Sequence, residues 1–158
     1  MIPDALRPYL AIGATLFPLP AGTKDPRGIV SNWQTDASNS PAQIERWATA
    51  NPGCNWAMVA AASGLIVVDI DTKNVGRDQA WKAWCDVCTA WGVEVMQPHC
   101  ETPSGGWHVY TRFPVGTDVA TLRQPALMRG VIDVRTNGFV LIPPSQIDGK
   151  QYANFTSS

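Results

Sequence analysis

Gly64-Leu65-Ile66-Val67-Val68-Asp69-Ile70-Asp71 is an apolar run that closes on two acids spaced two residues apart. It is rich in β-branched residues and follows the turn Ala62-Ser63-Gly64, so it reads as a strand that ends at the rim of the core. Side chains alternate along a strand, which puts Asp69 and Asp71 on one face while Ile70 enters the core. Two carboxylates on one face repel unless a cation lies between them, and hard divalent ions take oxygen ligands of this kind. The competing reading is a strand end whose acids are solvated on the way into Thr72-Lys73-Asn74.

Two further stretches bear on that choice. In Val131-Ile132-Asp133-Val134-Arg135, Asp133 interrupts an apolar pattern and Arg135 lies on its face. The two form either a surface pair or a third metal ligand beside a phosphate clamp. Ser104-Gly105-Gly106 supplies a tight turn whose backbone N–H groups can cradle phosphate oxygens, and His108 follows two residues later. A lone histidine after a glycine turn is more often a hairpin feature; beside the acids it reads as a phosphate contact. Three carboxylates and a histidine, each on a short β run, suit a two-metal phosphoryl-transfer site. An unrelated metal phosphohydrolase would require further His or Asp ligands.

The rest of the chain alternates helix and strand signals. Residues 4–12 read as a short amphipathic helix with Leu6 and Leu10 inward, and 14–19 as a strand. Residues 21–39 read as a surface loop, and Ser40-Pro41 as the N-cap and first turn of a helix to about Ala50. Two β runs, 55–61 and 64–70, surround Ala62-Ser63-Gly64, and a helix spans 75–91 with Trp81, Trp84, Cys85 and Cys88 on its apolar face. Residues 93–102 and 107–113 flank the glycine turn as a strand pair, and 114–129 form a poorly patterned connection. Residues 131–135 and 139–142 flank Asn137-Gly138, the strongest short hairpin signal in the chain. The expected class is α+β with mostly antiparallel strands.

A chain of 158 residues, 45% hydrophobic and 16% charged, is long enough to bury a core, and residues 1–158 are expected to form one domain. The formal net charge of −1 excludes a strongly basic duplex binder, so any polynucleotide grip must come from local patches or another domain. No apolar run approaches the roughly 20 residues of a membrane span, and the N-terminus lacks a signal-peptide pattern. Cysteines at 54, 85, 88 and 100 without secretory features suggest reduced thiols in a cytoplasm. Cys85-x-x-Cys88 with His99-Cys100 has zinc-type ligands, but strand alternation is expected to send His99 and Cys100 to opposite faces, which argues against zinc. Lys24 and Arg27, beside Trp33, are either solvated loop charges or a cover for a nucleotide. Arg112, Arg123 and Arg129 are scattered candidates for template-backbone contacts.

Taken in order, these pieces resemble the bifunctional primase/polymerase (prim-pol) domain family of the archaeo-eukaryotic primase superfamily. The resemblance rests on Phe17-Pro18-Leu19, Lys24-Asp25-Pro26 and Trp33, the run 64–71, Thr102–Tyr110, Val131–Arg135, Gly138–Ser145, and Gly149 with Tyr152. It implies a primase-like core with an RNA-recognition-type (RRM-like) sheet, a small N-terminal αβ unit, and an active site in the cleft between them. It implies that Asp69, Asp71 and Asp133 bind two Mg²⁺ or Mn²⁺ ions. His108 would contact the triphosphate, with Ser104, Gly105, Gly106, Arg135 and Lys24 also on the nucleotide. The implied activity is a metal-dependent nucleotidyltransferase, a DNA primase and/or polymerase using NTPs or dNTPs on a single-stranded DNA template or primer. The alternative is a nucleotide- or ssDNA-binding replication module without independent catalysis. Where much of the superfamily carries Ser-x-His, this chain has Gly106-Trp107-His108, with its serine at 104. Related chains often continue into a helical domain and a helicase, so template capture or primer initiation is expected to depend on a further segment or on such a partner in trans, and replication of a virus or plasmid is the expected setting.

Overall fold

The computed structural model describes residues 1–112, 116–117 and 129–155. Arg123 and most of the connection 114–129 lie outside the described residues. The first half runs α1 (Arg7–Ala11), β1 (Leu16–Leu19), α2 (Trp33–Asp36), α3 (Pro41–Ala50), β2 (Asn55–Val59), β3 (Ile66–Ile70) and α4 (Gly76–Trp91). Then come β4 (Cys100–Glu101), β5 (Trp107–Thr111), β6 (Ile132–Arg135), β7 (Phe139–Ile142), β8 (Gln146–Ile147), β9 (Lys150–Gln151) and β10 (Ala153–Asn154). The fold is α+β, and its ladders β1·β2, β2·β7, β3·β5, β3·β6, β4·β5 and β8·β9 are antiparallel. No described helix is long and apolar enough to cross a membrane. Chain contacts group Met1–Gly64 with Asn137–Asn154 as one compact unit, and Leu65–Thr136 with Phe155 as another.

The first unit is built on the sheet β1-β2-β7. All of β1 is buried, although Pro18 has no N–H to give a ladder. The strand tolerates it because β1 is at the sheet edge, where Leu16 makes an isolated bridge to Ser38. Phe17 stacks on Trp33 at 5.7 Å, and Phe139 meets both rings edge-on at 5.2 Å. Trp33 lies in α2, a single turn inside the segment that reads as loop. Asn32 caps it by accepting from the Gln34 N–H, while Asp36 accepts from the Asn32 N–H. Ser40 caps α3 and Pro41 opens it, as the sequence indicates. At the N-terminus Leu6 and Tyr9 are buried, Leu10 only partly. The Tyr9 hydroxyl donates to Asn154 Oδ1, whose amide donates to the Ala5 carbonyl.

Pro143 and Pro144, which carry no N–H, interrupt the β2·β7 ladder beyond the Trp56↔Ile142 pair. Side chains continue it. The buried Ser145 hydroxyl accepts from the Trp56 N–H at 2.7 Å and donates to the Trp56 carbonyl at 2.9 Å. The Asn55 amide bonds both backbone groups of Gln146 and the Thr23 carbonyl.

In the second unit the strands lie in the order β4-β5-β3-β6. Ile70 and Val68 of β3, Trp107 and Val109 of β5, and Ile132 and Val134 of β6 share one face. They pack against Ala80, Trp84, Val87 and Cys88 of α4. Of the expected face, Trp84 and Cys88 are buried, while Trp81, edge-on to Trp107, and Cys85 are only half-buried at the margin of the packed stripe. The strand expected over 93–102 is reduced to Cys100–Glu101. Two expected pairings do not form. The runs around Ala62-Ser63-Gly64 belong to different sheets, as do those around Asn137-Gly138: β6 pairs with β3, and β7 with β2. Gly138 has the positive φ of 75° that such a turn needs, yet it links the two units. The turn chemistry is local, while partner choice follows from which buried faces find each other.

Candidate active site

β3 lies between β5 and β6, and its register determines what meets Asp69. Asp69 pairs with His108 on β5 and with Asp133 on β6. Direct antiparallel partners point to the same face, the one opposite α4. One apolar alternation in each strand therefore delivers a histidine and two acids to one patch. His108 is buried, with Nε2 3.6 Å from Asp69 Oδ1. The Arg135 Nη2 lies 3.7 Å from Asp69 Oδ2, and its Nε donates to Asp133 Oδ2 at 3.0 Å. Exposure rises across the patch, from 5% at the His108 side chain through 29% at Asp69 to 62% at Asp133, so the histidine forms the floor and Asp133 the rim.

Asp71 follows β3 on the same face. Its N–H donates to the Val131 carbonyl, and its Oδ1 accepts from the Lys73 N–H at 2.8 Å in an Asx turn. The Ser104-Gly105-Gly106 turn sits beside this strand end. A Cβ on Gly106 would stand 2.2 Å from the Ile70 carbonyl oxygen, so only glycine fits there. The Thr72 hydroxyl is 3.5 Å from the Ser104 carbonyl. The Gly105 N–H closes the turn onto Thr102 O, and the Thr102 N–H donates to Gly106 O. The turn thus joins β4 to β5 as a true hairpin, with the Gly105 N–H committed to it.

The structure brings Asp69, Asp71, Asp133, His108 and Arg135 to one sheet face, with Ser104–Gly106 at its end. Lys24 belongs to the other unit and is exposed. Arg27, its neighbour, is held by Asp25 through paired bonds of 2.9 and 2.8 Å, which lower the Asp25 carboxyl to about 2. The acids offer the hard oxygen donors that Mg²⁺ or Mn²⁺ takes, so the donors suit such ions in chemical type. The charge of Asp69 and Asp133 is met by Arg135, and among the described residues no three His, Cys, Asp or Glu side chains close into a metal-holding group.

The chain matches a known family along most of its length. The family model for bifunctional DNA primase/polymerase, N-terminal, matches residues 6–157. The chain belongs to this family. No curated protein matches it. The match covers nearly the whole chain and includes every site residue named above, Lys24 among them. Primase and polymerase chemistry on nucleotides and nucleic acid is thus the family setting.

The cysteine cluster resolves differently from its sequence reading. Cys100 is the register partner of His108, and the His99 ring stacks on Tyr110, so alternation does not send His99 and Cys100 to opposite faces. Cys88 instead lies across the sheet from both, in the core under α4, where burial pushes its thiol up and away from the thiolate that zinc takes. Counting by two from His108 places Tyr110 on the same face, where its ring lies 6.2 Å from the His108 ring. Thr72, which holds the glycine turn, left no sequence signal.

Proposed function

We propose that this protein is a metal-dependent nucleotidyltransferase, a DNA primase and/or DNA polymerase that joins nucleoside triphosphates on a single-stranded DNA template. The observation that carries the reading is the β3 register, which sets Asp69 between His108 and Asp133 in a chain of the primase/polymerase family. Asp69, Asp71 and Asp133 are the residues to hold Mg²⁺ or Mn²⁺. Such ions lower the pKa of a primer 3′-hydroxyl and offset charge on a leaving pyrophosphate. His108, on the buried floor, presents its imidazole to the triphosphate, and Arg135 presents a planar donor fork suited to phosphate. The Ser104–Gly106 turn borders the same phosphates, and Lys24 contributes to nucleotide affinity. A helicase or accessory helical domain supplies template capture.

The test is labelled-nucleotide incorporation on single-stranded DNA, with and without primer, in Mg²⁺ or Mn²⁺. Asp71→Ala is expected to lower incorporation by more than about a hundredfold, some ~2.7 kcal/mol of barrier, while the melting temperature stays near wild type. Primer-independent product would add primase to polymerase activity. Wild-type incorporation by Asp71→Ala would remove Asp71 from the site. Metal-dependent nucleotide binding without any product would instead favour a binding module.

A further inference from the structure

His99 grips β5 at the His108 carbonyl and again two residues on, at Tyr110. Its backbone N–H donates to the His108 carbonyl at 2.9 Å, and its Nδ1 accepts from the Tyr110 N–H at 3.0 Å. Cys100 is already the register partner of His108, so two successive residues on this side face one on β5. That is the arrangement of a bulge, a device that re-aims a neighbouring side chain. β4 contributes only Cys100–Glu101 to the ladder, and the imidazole takes over where its backbone stops. Pro98, which precedes His99, has no N–H with which to extend the pairing. The His99 ring also stacks on Tyr110, with centroids 5.3 Å apart and planes 23° apart, and Tyr110 in turn lies 6.2 Å from the His108 ring. On its other side, the His99 carbonyl accepts from the Phe155 N–H, which anchors the clamp.

We infer that His99 is a positioning residue: its backbone and Nδ1 clamp β5 around His108 and hold the His108 imidazole at its distance from Asp69. The inference rests on the proposed nucleotidyltransferase reading for its effect on turnover, but not for its effect on His108 itself. An Nδ1 acceptor fixes His99 as the Nε2–H tautomer. Asparagine places an amide oxygen near the Nδ1 position and can keep the bond to the Tyr110 N–H. Phenylalanine keeps a ring for the stack but has no acceptor.

The experiment compares wild type, His99→Phe and His99→Asn by NMR of the histidine ring resonances and by nucleotide incorporation. In the wild type, His99 is expected to show the Nε2–H tautomer and the Tyr110 amide to be protected from exchange. In His99→Phe the His108 ring resonances should shift and broaden, and kcat/KM should fall about tenfold, the weight of one hydrogen bond. His99→Asn should restore both. Unchanged His108 resonances and wild-type kcat/KM in His99→Phe would overturn the inference. So would an Nδ1–H tautomer in the wild type, which also decides the matter if His99→Phe does not fold. If the wild type incorporates no nucleotide, the proposed function fails, while the His108 resonances still decide the positioning role.

Discussion

Gly106 shows how one missing side chain sets the site. Its backbone lies so close to the Ile70 carbonyl that a single methyl would collide at 2.2 Å with backbone that cannot move aside. Gly106→Ala is therefore expected to cost on the order of 3 kcal/mol, read as a lowered denaturation midpoint, and to displace the turn beside Asp71. A midpoint equal to wild type would show that β5 can slide away from β3. The Asp69–Asp71 spacing was legible in the sequence because strand alternation is local. That Arg135 reaches both Asp69 and Asp133 was only half legible. The Asp133–Arg135 pair shares a strand, whereas the reach to Asp69 depends on the register between β6 and β3.

At the scale of elements, hydrogen bonds from side chains replace ladder bonds at two strand ends. Ser145 does this for Trp56, and Ser145→Ala would leave a buried N–H and a buried C=O unpaired. The expected loss is roughly 3 kcal/mol by chemical denaturation, with the Asp69–His108 geometry unaffected at temperatures where the fold persists. His99 does the same for Tyr110. Partial desolvation of this ring, which keeps an exposed edge, holds its pKa below the ordinary 6.5, so the unfolded chain takes up a proton somewhat more readily than the folded one. Its contribution to stability is complete above about pH 6.5 and drains away as the pH falls through the lowered folded value. A denaturation series from pH 7.5 downward should show this slope in the wild type and lose it in His99→Phe; equal slopes would contradict the assignment. Neither serine nor histidine announced this role in the sequence, because each bonds backbone remote from it along the chain.

For the whole molecule, the near-zero net charge has a consequence for nucleic-acid binding. Among the described residues Arg7, Arg27, Arg77, Lys82 and Arg135 are each paired with a carboxylate, which takes five of the chain's 12 Lys and Arg side chains out of the count that can displace counterions from a strand. The affinity for single-stranded DNA should therefore fall gently with salt. With two or three phosphates engaged, a plot of log K against log salt should have a slope of about −2. Fluorescence anisotropy across a salt series measures it, and a slope steeper than about −5 would reveal a basic surface that the net charge conceals. The sequence by itself determined the longer helices and the site-bearing strands, the capped helix α3, the Ser104–Gly106 hairpin and the strand faces that carry Asp69, Asp71, His108 and Asp133. It did so because caps, turns and alternation are read over a few neighbouring residues. Only the tertiary structure decided that β6 joins β3 rather than β7, that Asn137-Gly138 is a link between units, and that His99 closes on Tyr110. Those outcomes depend on which buried faces pack together and which orphaned backbone groups remain to be satisfied, and no local pattern encodes either.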